Sequence, residues 1–303
     1  MAPLPIRFDA LGEDGTIPPD GGEQRGPSRA RLLRVKTLLA ATHELGARRL
    51  LIGVVHLAPL PGAPRYGGDL APVLAAARAD ASALAEGCDA IIVENFGDVP
   101  FYPRRVPAET VAAMALGIAA VREVAPSLPV GANVLRNDAA AALGLCAATG
   151  ASFLRVNVHT SAAVTDQGVL EGEAASTLRE RERICPDAAL FADVHVKHAS
   201  PLGGESPAEA AADALQRGLA DAVIVTGAAT GRSPSGEVLT HVRRHIGRRP
   251  LFIGSGLTDG NAPRLLESAN GAIVGTWFKR EGQLDQPVDA ERVKRLRALV
   301  DDL

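Results

Sequence analysis

EGCDAIIVEN, residues 86–95, places a small or polar pair before a short β-branched run and closes on a carboxylate and an amide. The same entry recurs in TGASFLRVN (149–157), LADAVIVTG (219–227) and SANGAIVGT (268–276). Short runs of this kind, alternating with Ala-rich amphipathic stretches, signal strand–helix repeats and a parallel sheet. From residue 50 onward the sequence predicts eight strands: 50–56, 90–95, 129–136, 153–157, 190–198, 222–227, 251–256 and 271–279. Helical stretches follow them at 70–86, 107–125, 138–148, 170–184, 207–218, 235–246, 261–268 and 289–302. Eight units with a half-period echo fit a closed (β/α)8 TIM barrel of about 250 residues. The competing open doubly wound sheet needs a glycine-rich turn after its first strand, and HLAPLPGAPRYGG (56–68) is too rich in proline to open a helix there.

Upstream of the barrel, residues 1–28 hold five prolines and five glycines without hydrophobic periodicity, so a flexible N-terminal extension is expected. RARLLRVKTLLAATHELGARR (29–49) has helical spacing and predicts a short leading helix, which joins the barrel in a domain spanning 29–303. The chain has 303 residues, 47% hydrophobic and 22% charged, with a net charge of −3. Basic residues are dispersed apart from Arg243, Arg244, Arg248 and Arg249, and aromatics make up only 3%, which argues against a nucleic-acid polymer as partner. Cys88, Cys146 and Cys185 are odd in number and widely spaced, as buried thiols would be. Neither a run of eighteen apolar residues nor a signal-peptide pattern is present, so no membrane span and a cytoplasmic location are expected. A homo-oligomer is expected, as is common for such barrels.

In a parallel barrel the chemistry sits at the strand C-termini. Period-two alternation then sorts the strand-end residues by face. DVHVKHASPLGG (193–204) places Asp193, His195 and Lys197 on one face of the fifth strand, with Val194 and Val196 opposite. The valines belong against the helices, so the three polar groups are expected to point into the barrel, where each must be paired or wet. In one arrangement Asp193, His195 and Lys197 are catalytic together with Glu94 of VENFGDVPF (93–101). In the other, Asp193 pairs with Arg155 and Lys197 alone reaches the mouth. Asn133 and Asn157 supply amide donors for a ligand, and His56, Asn95, Arg155, Thr226 and Gly227 complete the expected substrate-binding set. His198 points the other way by alternation. After the seventh and eighth strands, Gly254, Ser255 and Gly256, then Gly275 and Thr276, offer backbone N–H groups that with a following helix N-terminus would cradle a phosphate. Lys279 either adds charge to that pocket or is solvated.

HLAPLPG, VENFGDVPF, GANVLRN, FLRVN, DVHVKHASPL, VTGAATG and GSGLTDGNAPRLLESANGAIVGTWFK, in this order from residue 56 to 279, resemble the BtpA/SgcQ family. The resemblance covers about residues 50–303. It implies a TIM-like barrel related to ribulose-phosphate-binding barrels, with a founding branch linked to photosystem I biogenesis and other branches among carbohydrate genes. Two classes of function follow. The first is an enzyme acting on a phosphorylated sugar or nucleotide-like molecule by isomerase, lyase or glycosidic-cleavage chemistry, with Glu94 or Asp193 as acid or base and Lys197 stabilising an oxyanion. Within it, Lys197 as a Schiff-base nucleophile and a divalent metal held by His56, Glu94, Asp193 and His195 are two variants; no other cofactor is expected. The second class is a non-catalytic assembly or regulatory factor.

Overall fold

The computed structural model describes Leu39, residues 48–227 and residues 231–303. The expected N-terminal extension lies outside the described residues, as does the expected leading helix apart from Leu39. Strands run in chain order as β1 (Leu50–His56), β2 (Ala90–Glu94), β3 (Val130–Asn133), β4 (Phe153–Val156), β5 (Ala162–Thr165), β6 (Gly168–Glu171), β7 (Ala189–Val194), β8 (Ala199–Pro201), β9 (Ala222–Val225), β10 (Leu251–Ile253) and β11 (Gly271–Val274). Eight of them close a barrel in the order β1-β11-β10-β9-β7-β4-β3-β2, and every pair in that ring is parallel. Helices α1 (Ala71–Leu84), α2 (Ala108–Val124), α3 (Ala139–Thr149), α4 (Ala174–Ile184), α5 (Pro207–Gln216), α6 (Gly236–Ile246), α7 (Ala262–Leu266) and α8 (Ala290–Asp301) follow the barrel strands one by one. The fold is therefore the expected TIM barrel.

Alternation along each strand sends one set of side chains inward and the other against the helices. Ile52 and Val54, with Ile92, Phe191, Ile224, Phe252 and Ile273, fill the barrel interior, and Leu39 belongs to that cluster. Phe153, Phe191 and Phe252 stack in sequence at ring separations of 5.2 and 5.3 Å. Leu51, Val55, Ile91 and Val93 face outward into a larger shell with Leu84, Met114 and Ile118 from α1 and α2. Burying each large apolar side chain contributes about 1.5–3 kcal/mol, so both faces of every strand must be apolar except where the barrel opens. That exception is the C-terminal rim.

Two departures matter for the rim. The fifth barrel strand, β7, ends at Val194 rather than continuing to 198, because His195 turns to φ 48° and His198 to φ 57°. The second is a small antiparallel sheet, order β6-β5-β8, inserted after β4 and completed after β7. It is tied to the loop before α2 by the ion pair of Arg104 with Glu171, while Arg105 in the same loop pairs with Glu173, the N-cap of α4, and with Asp138, the N-cap of α3. No helix among the described residues is long and apolar enough to cross a membrane. The cysteines are free, with Cys88 and Cys146 buried, and burial pushes both thiols far above their ordinary range.

Candidate active site

The rim is organised around Arg155, which projects inward from β4 and is buried. Its Nε and Nη2 each lie 3.0 Å from an oxygen of Asp193 at the end of β7, and its Nη1 lies 3.1 Å from Glu94 Oε1 at the end of β2. Asn133 donates to the same Glu94 oxygen at 3.0 Å, and Asn157 donates to Asp193 Oδ2 at 2.6 Å. Charged groups survive here only because each carboxylate is paired and hydrogen-bonded, the condition under which buried ions are tolerable. Burial alone would raise the Glu94 carboxyl, but Arg155, then Lys197, with the Asn133 donation, overrule it and hold it below the ordinary carboxylate range. Glu94 is thus an anion at neutral pH. Its Oε2 accepts from no described residue.

Lys197 stands over this hub. Its carbonyl is held by Arg136 Nη2 at 2.7 Å, while its ammonium has no hydrogen bond or ion pair among the described residues. Burial lowers its proton affinity, helped by Arg155 and Arg136 and opposed by Glu94 and Asp193. His56, at the end of β1, lies beside Phe96 at a ring separation of 4.8 Å. Burial drives its pKa down to about 4, so it is neutral, and its buried Nδ1 has no partner among the described residues.

Opposite the hub, the turns after β10 and β11 form the expected glycine wall. A single cleft of about 180 Å³ is lined by Glu94, Arg155 and Lys197 together with Gly254, Ser255, Gly256, Gly275 and Thr276, and by His56, which packs beside Gly275. The backbone N–H groups of Ser255, Gly256, Gly275 and Thr276 donate to no acceptor among the described residues. Side chains are excluded from this wall by close contacts. A Cβ on Gly256, whose φ is 71°, would sit 2.2 Å from Ser233 N, and one on Gly275 would sit 2.7 Å from the His56 ring. The Ser255 hydroxyl turns away to Arg232 O at 2.8 Å. The expected helix N-termini do not reach this wall, since α7 is a single short turn beginning at Ala262 and a 3-10 turn (Thr276–Phe278) follows β11. The cradle is one of loop amides.

Beyond Glu94, Arg155 and Lys197 the cleft widens into a mouth of about 420 Å³, walled by Phe96, Val99, Phe101 and Leu135 and bordered by Arg136, Asp166 and His198. Arg136 was not among the expected residues, although GANVLRN displays it; it lies beyond β3, where alternation no longer assigns a direction. His198 borders the mouth against expectation for the same reason.

Several expected placements are corrected. His195 does not face the barrel axis: its left-handed backbone turns it into a small recess with Ser161 and Glu205, and its Nε2 is buried without a partner among the described residues. The proposed metal set of His56, Glu94, Asp193 and His195 therefore does not converge, and no three His, Cys, Asp or Glu side chains among the described residues are placed to hold a metal ion together. Asn133 and Asn157 each commit one amide N–H to a hub carboxylate, to Glu94 and to Asp193, so both side chains are oriented by the hub. Asn95 bonds Leu135 N at 2.7 Å and Asp98 at 3.1 Å, fastening two loops below the rim. Thr226 bonds the His195 carbonyl at 3.3 Å, and Gly227 admits the Arg232 carbonyl where a Cβ would lie 2.2 Å away; neither lines the cleft. Lys279 is neither in the cleft nor solvated, but buried against Asp80 at 2.5 Å.

Fold and rim together define a closed parallel barrel with a polar cleft at its C-terminal face, and comparison with known proteins agrees on the barrel. The BtpA family model matches residues 47–302, and the chain belongs to the BtpA family. An uncharacterized protein of Thermococcus kodakarensis is 46% identical over 257 residues, covering 84% of this chain and 97% of the relative. The photosystem I biogenesis protein BtpA of Synechocystis is 46% identical over 244 residues, covering 80% and 85%. Among solved structures, (S)-3-O-geranylgeranylglyceryl phosphate synthase from Thermoplasma acidophilum, in complex with sn-glycerol-1-phosphate, superposes with a TM-score of 0.55 at 15% identity, covering 89% of this chain and 98% of that one. N-(5'-phosphoribosyl)anthranilate isomerase from Pyrococcus furiosus gives 0.51 at 14% identity, covering 84% and 100%. These likenesses establish the barrel.

Proposed function

We propose that the protein is an enzyme acting on a phosphorylated sugar or nucleotide-like small molecule. The observation that carries this reading is the single cleft joining free backbone amides on one wall to Glu94 and Lys197 on the other. Bare N–H groups with no side chain between them favour an anion, and a dianionic phosphate gains most from such a cradle. With phosphate against Gly254–Gly256, Gly275 and Thr276, the carbon skeleton extends across the hub. Glu94, ionised and with Oε2 unengaged, is the proton acceptor, and the Lys197 ammonium faces the oxygen on which negative charge develops. Asp193, both of whose oxygens are held, is a positioning residue that orients Arg155. This assignment favours proton-transfer chemistry of the isomerase or lyase kind over glycosidic cleavage, which needs two carboxyl groups free to act.

The reading is tested by thermal shift of the full chain against phosphorylated sugars and nucleotides, since a specific ligand stabilises the fold with its occupancy. A stabilising phosphate ester, lost in Lys197→Ala or Gly256→Ala, is the expected result. Borohydride trapping with that ligand tests Lys197 as a Schiff-base nucleophile. The alternative, an assembly factor of the kind the Synechocystis relative's name describes, requires that Lys197→Ala leave function intact while changes on the outer surface abolish it.

A further inference from the structure

Asn133 and Asn157 each carry a polar atom with no hydrogen-bond partner among the described residues. Their Nδ2 groups donate to Glu94 and Asp193, and because carboxylates only accept, neither amide can be turned round without setting its carbonyl oxygen against a negative charge. The remaining atoms, Asn133 Oδ1 and Asn157 Oδ1, are buried and without a donor among the described residues. Asn133 is 1% exposed and Asn157 3%, and both line the wide mouth beside Phe96 and Phe101. A buried acceptor left unmade is costly, so a built pair of them implies a donor that arrives from outside.

We propose that these two oxygens form a hydroxyl-reading subsite, and that the ligand is a phosphate ester carrying at least two free hydroxyl groups on its carbon skeleton. The inference rests on the phosphate reading above and names the substrate class within it. A hydroxyl has one proton and serves one acceptor, so two acceptors require two hydroxyls. Register supports their separation: Ala132 lies opposite Leu154, which puts Asn157 two residues farther up its strand than the position facing Asn133, roughly 8 Å away at ordinary strand spacings. A cationic donor such as an amine is disfavoured, because Lys197, Arg136 and Arg155 already supply positive charge at this mouth. The Phe96 and Phe101 wall suits the C–H face of a polyol or sugar.

The test is calorimetric titration of the full chain with inorganic phosphate, propyl phosphate, a panel of polyol and sugar phosphates from glycerol phosphate to hexose phosphates, and the same polyols and sugars without phosphate. The best panel member is expected to bind at least about tenfold more tightly than propyl phosphate, the ratio for one satisfied buried acceptor. Asn133→Leu and Asn157→Leu are expected to erase that advantage, bringing the best panel member to within about twofold of propyl phosphate in the same variant. If phosphate and propyl phosphate bind but no panel member gains on them, the hydroxyl subsite is overturned and the phosphate reading stands. If only unphosphorylated polyols bind, the phosphate reading falls and the subsite stands; if nothing binds, both fall. The wild-type ligand series decides the matter even where a variant fails to fold.

Discussion

Two halves of the barrel rim are made of opposite materials. At β2, β3, β4 and β7 the strands end in charged and amide side chains locked to one another, whereas β10 and β11 end in residues whose side chains are absent or turned away. In the first half side chains do the work and the backbone is hidden. In the second the backbone is the working surface, and close packing behind it keeps Cβ atoms out. The contrast teaches that the halves should fail differently, by loss of charge balance in one and by loss of space in the other.

The largest effect is expected at Arg155. Arg155→Met removes the only cation contacting both Glu94 and Asp193 in the described structure, and breaking a buried pair this way costs about 3–5 kcal/mol. Urea unfolding should show a correspondingly lower midpoint. An unchanged midpoint would mean that the carboxylates are not buried as ions.

Next comes the pH dependence of His56. Its folded pKa of about 4 lies below the ordinary value of 6.5, so the unfolded chain takes up a proton that the folded chain refuses. Stability from this group is complete above pH 6.5 and falls as pH drops toward 4, by up to about 3 kcal/mol. Glu94 shifts the same way, but its contribution disappears at lower pH, below the ordinary carboxylate range. His56→Asn should flatten the melting-temperature slope between pH 6.5 and 4; an equal slope in both proteins would refute a buried neutral imidazole.

On the glycine side, Gly256→Ala must place a Cβ at φ 71° against Ser233 and should cost about 1–3 kcal/mol along with phosphate-ester affinity. Gly67→Ala, where nothing lies within 4 Å, is the matched control and should leave both unchanged. Equal effects of the two substitutions would remove the case for a space-limited wall. The smallest stability change is expected at Lys197. Since burial disfavours its charged form, Lys197→Met should unfold within about 0.5 kcal/mol of wild type, or above it, while turnover is lost. A large destabilisation would make Lys197 a structural ion instead.

The barrel was legible because each of its strands is a short apolar run followed by an amphipathic helix, and the observed strands fall within or one residue beyond the expected ones. The convergence of Glu94 and the glycine turns was legible for the same reason, as both sit at strand C-termini; Lys197 joins them from the loop after β7, where strand alternation gave it no direction. Alternation failed where its premise failed. It holds only inside a strand, and β7 stops at Val194, so the direction assigned to His195 had no basis. The β5–β6 hairpin was hidden because four-residue strands inserted before a helix carry too little periodicity, although Gly168 at φ 100° marks its turn. Hydrogen-bond allocation was also invisible: nothing in the order of residues says that Asn133 and Asn157 give their amide protons to carboxylates.

Amide chemical shifts of the isotopically labelled protein, followed during titration with inorganic phosphate, bear most directly on the anion wall. Saturable shifts at Ser255, Gly256, Gly275 and Thr276, abolished by Gly256→Ala, are the predicted result. Shifts confined to the Arg243–Arg249 surface, or none at all, would contradict it.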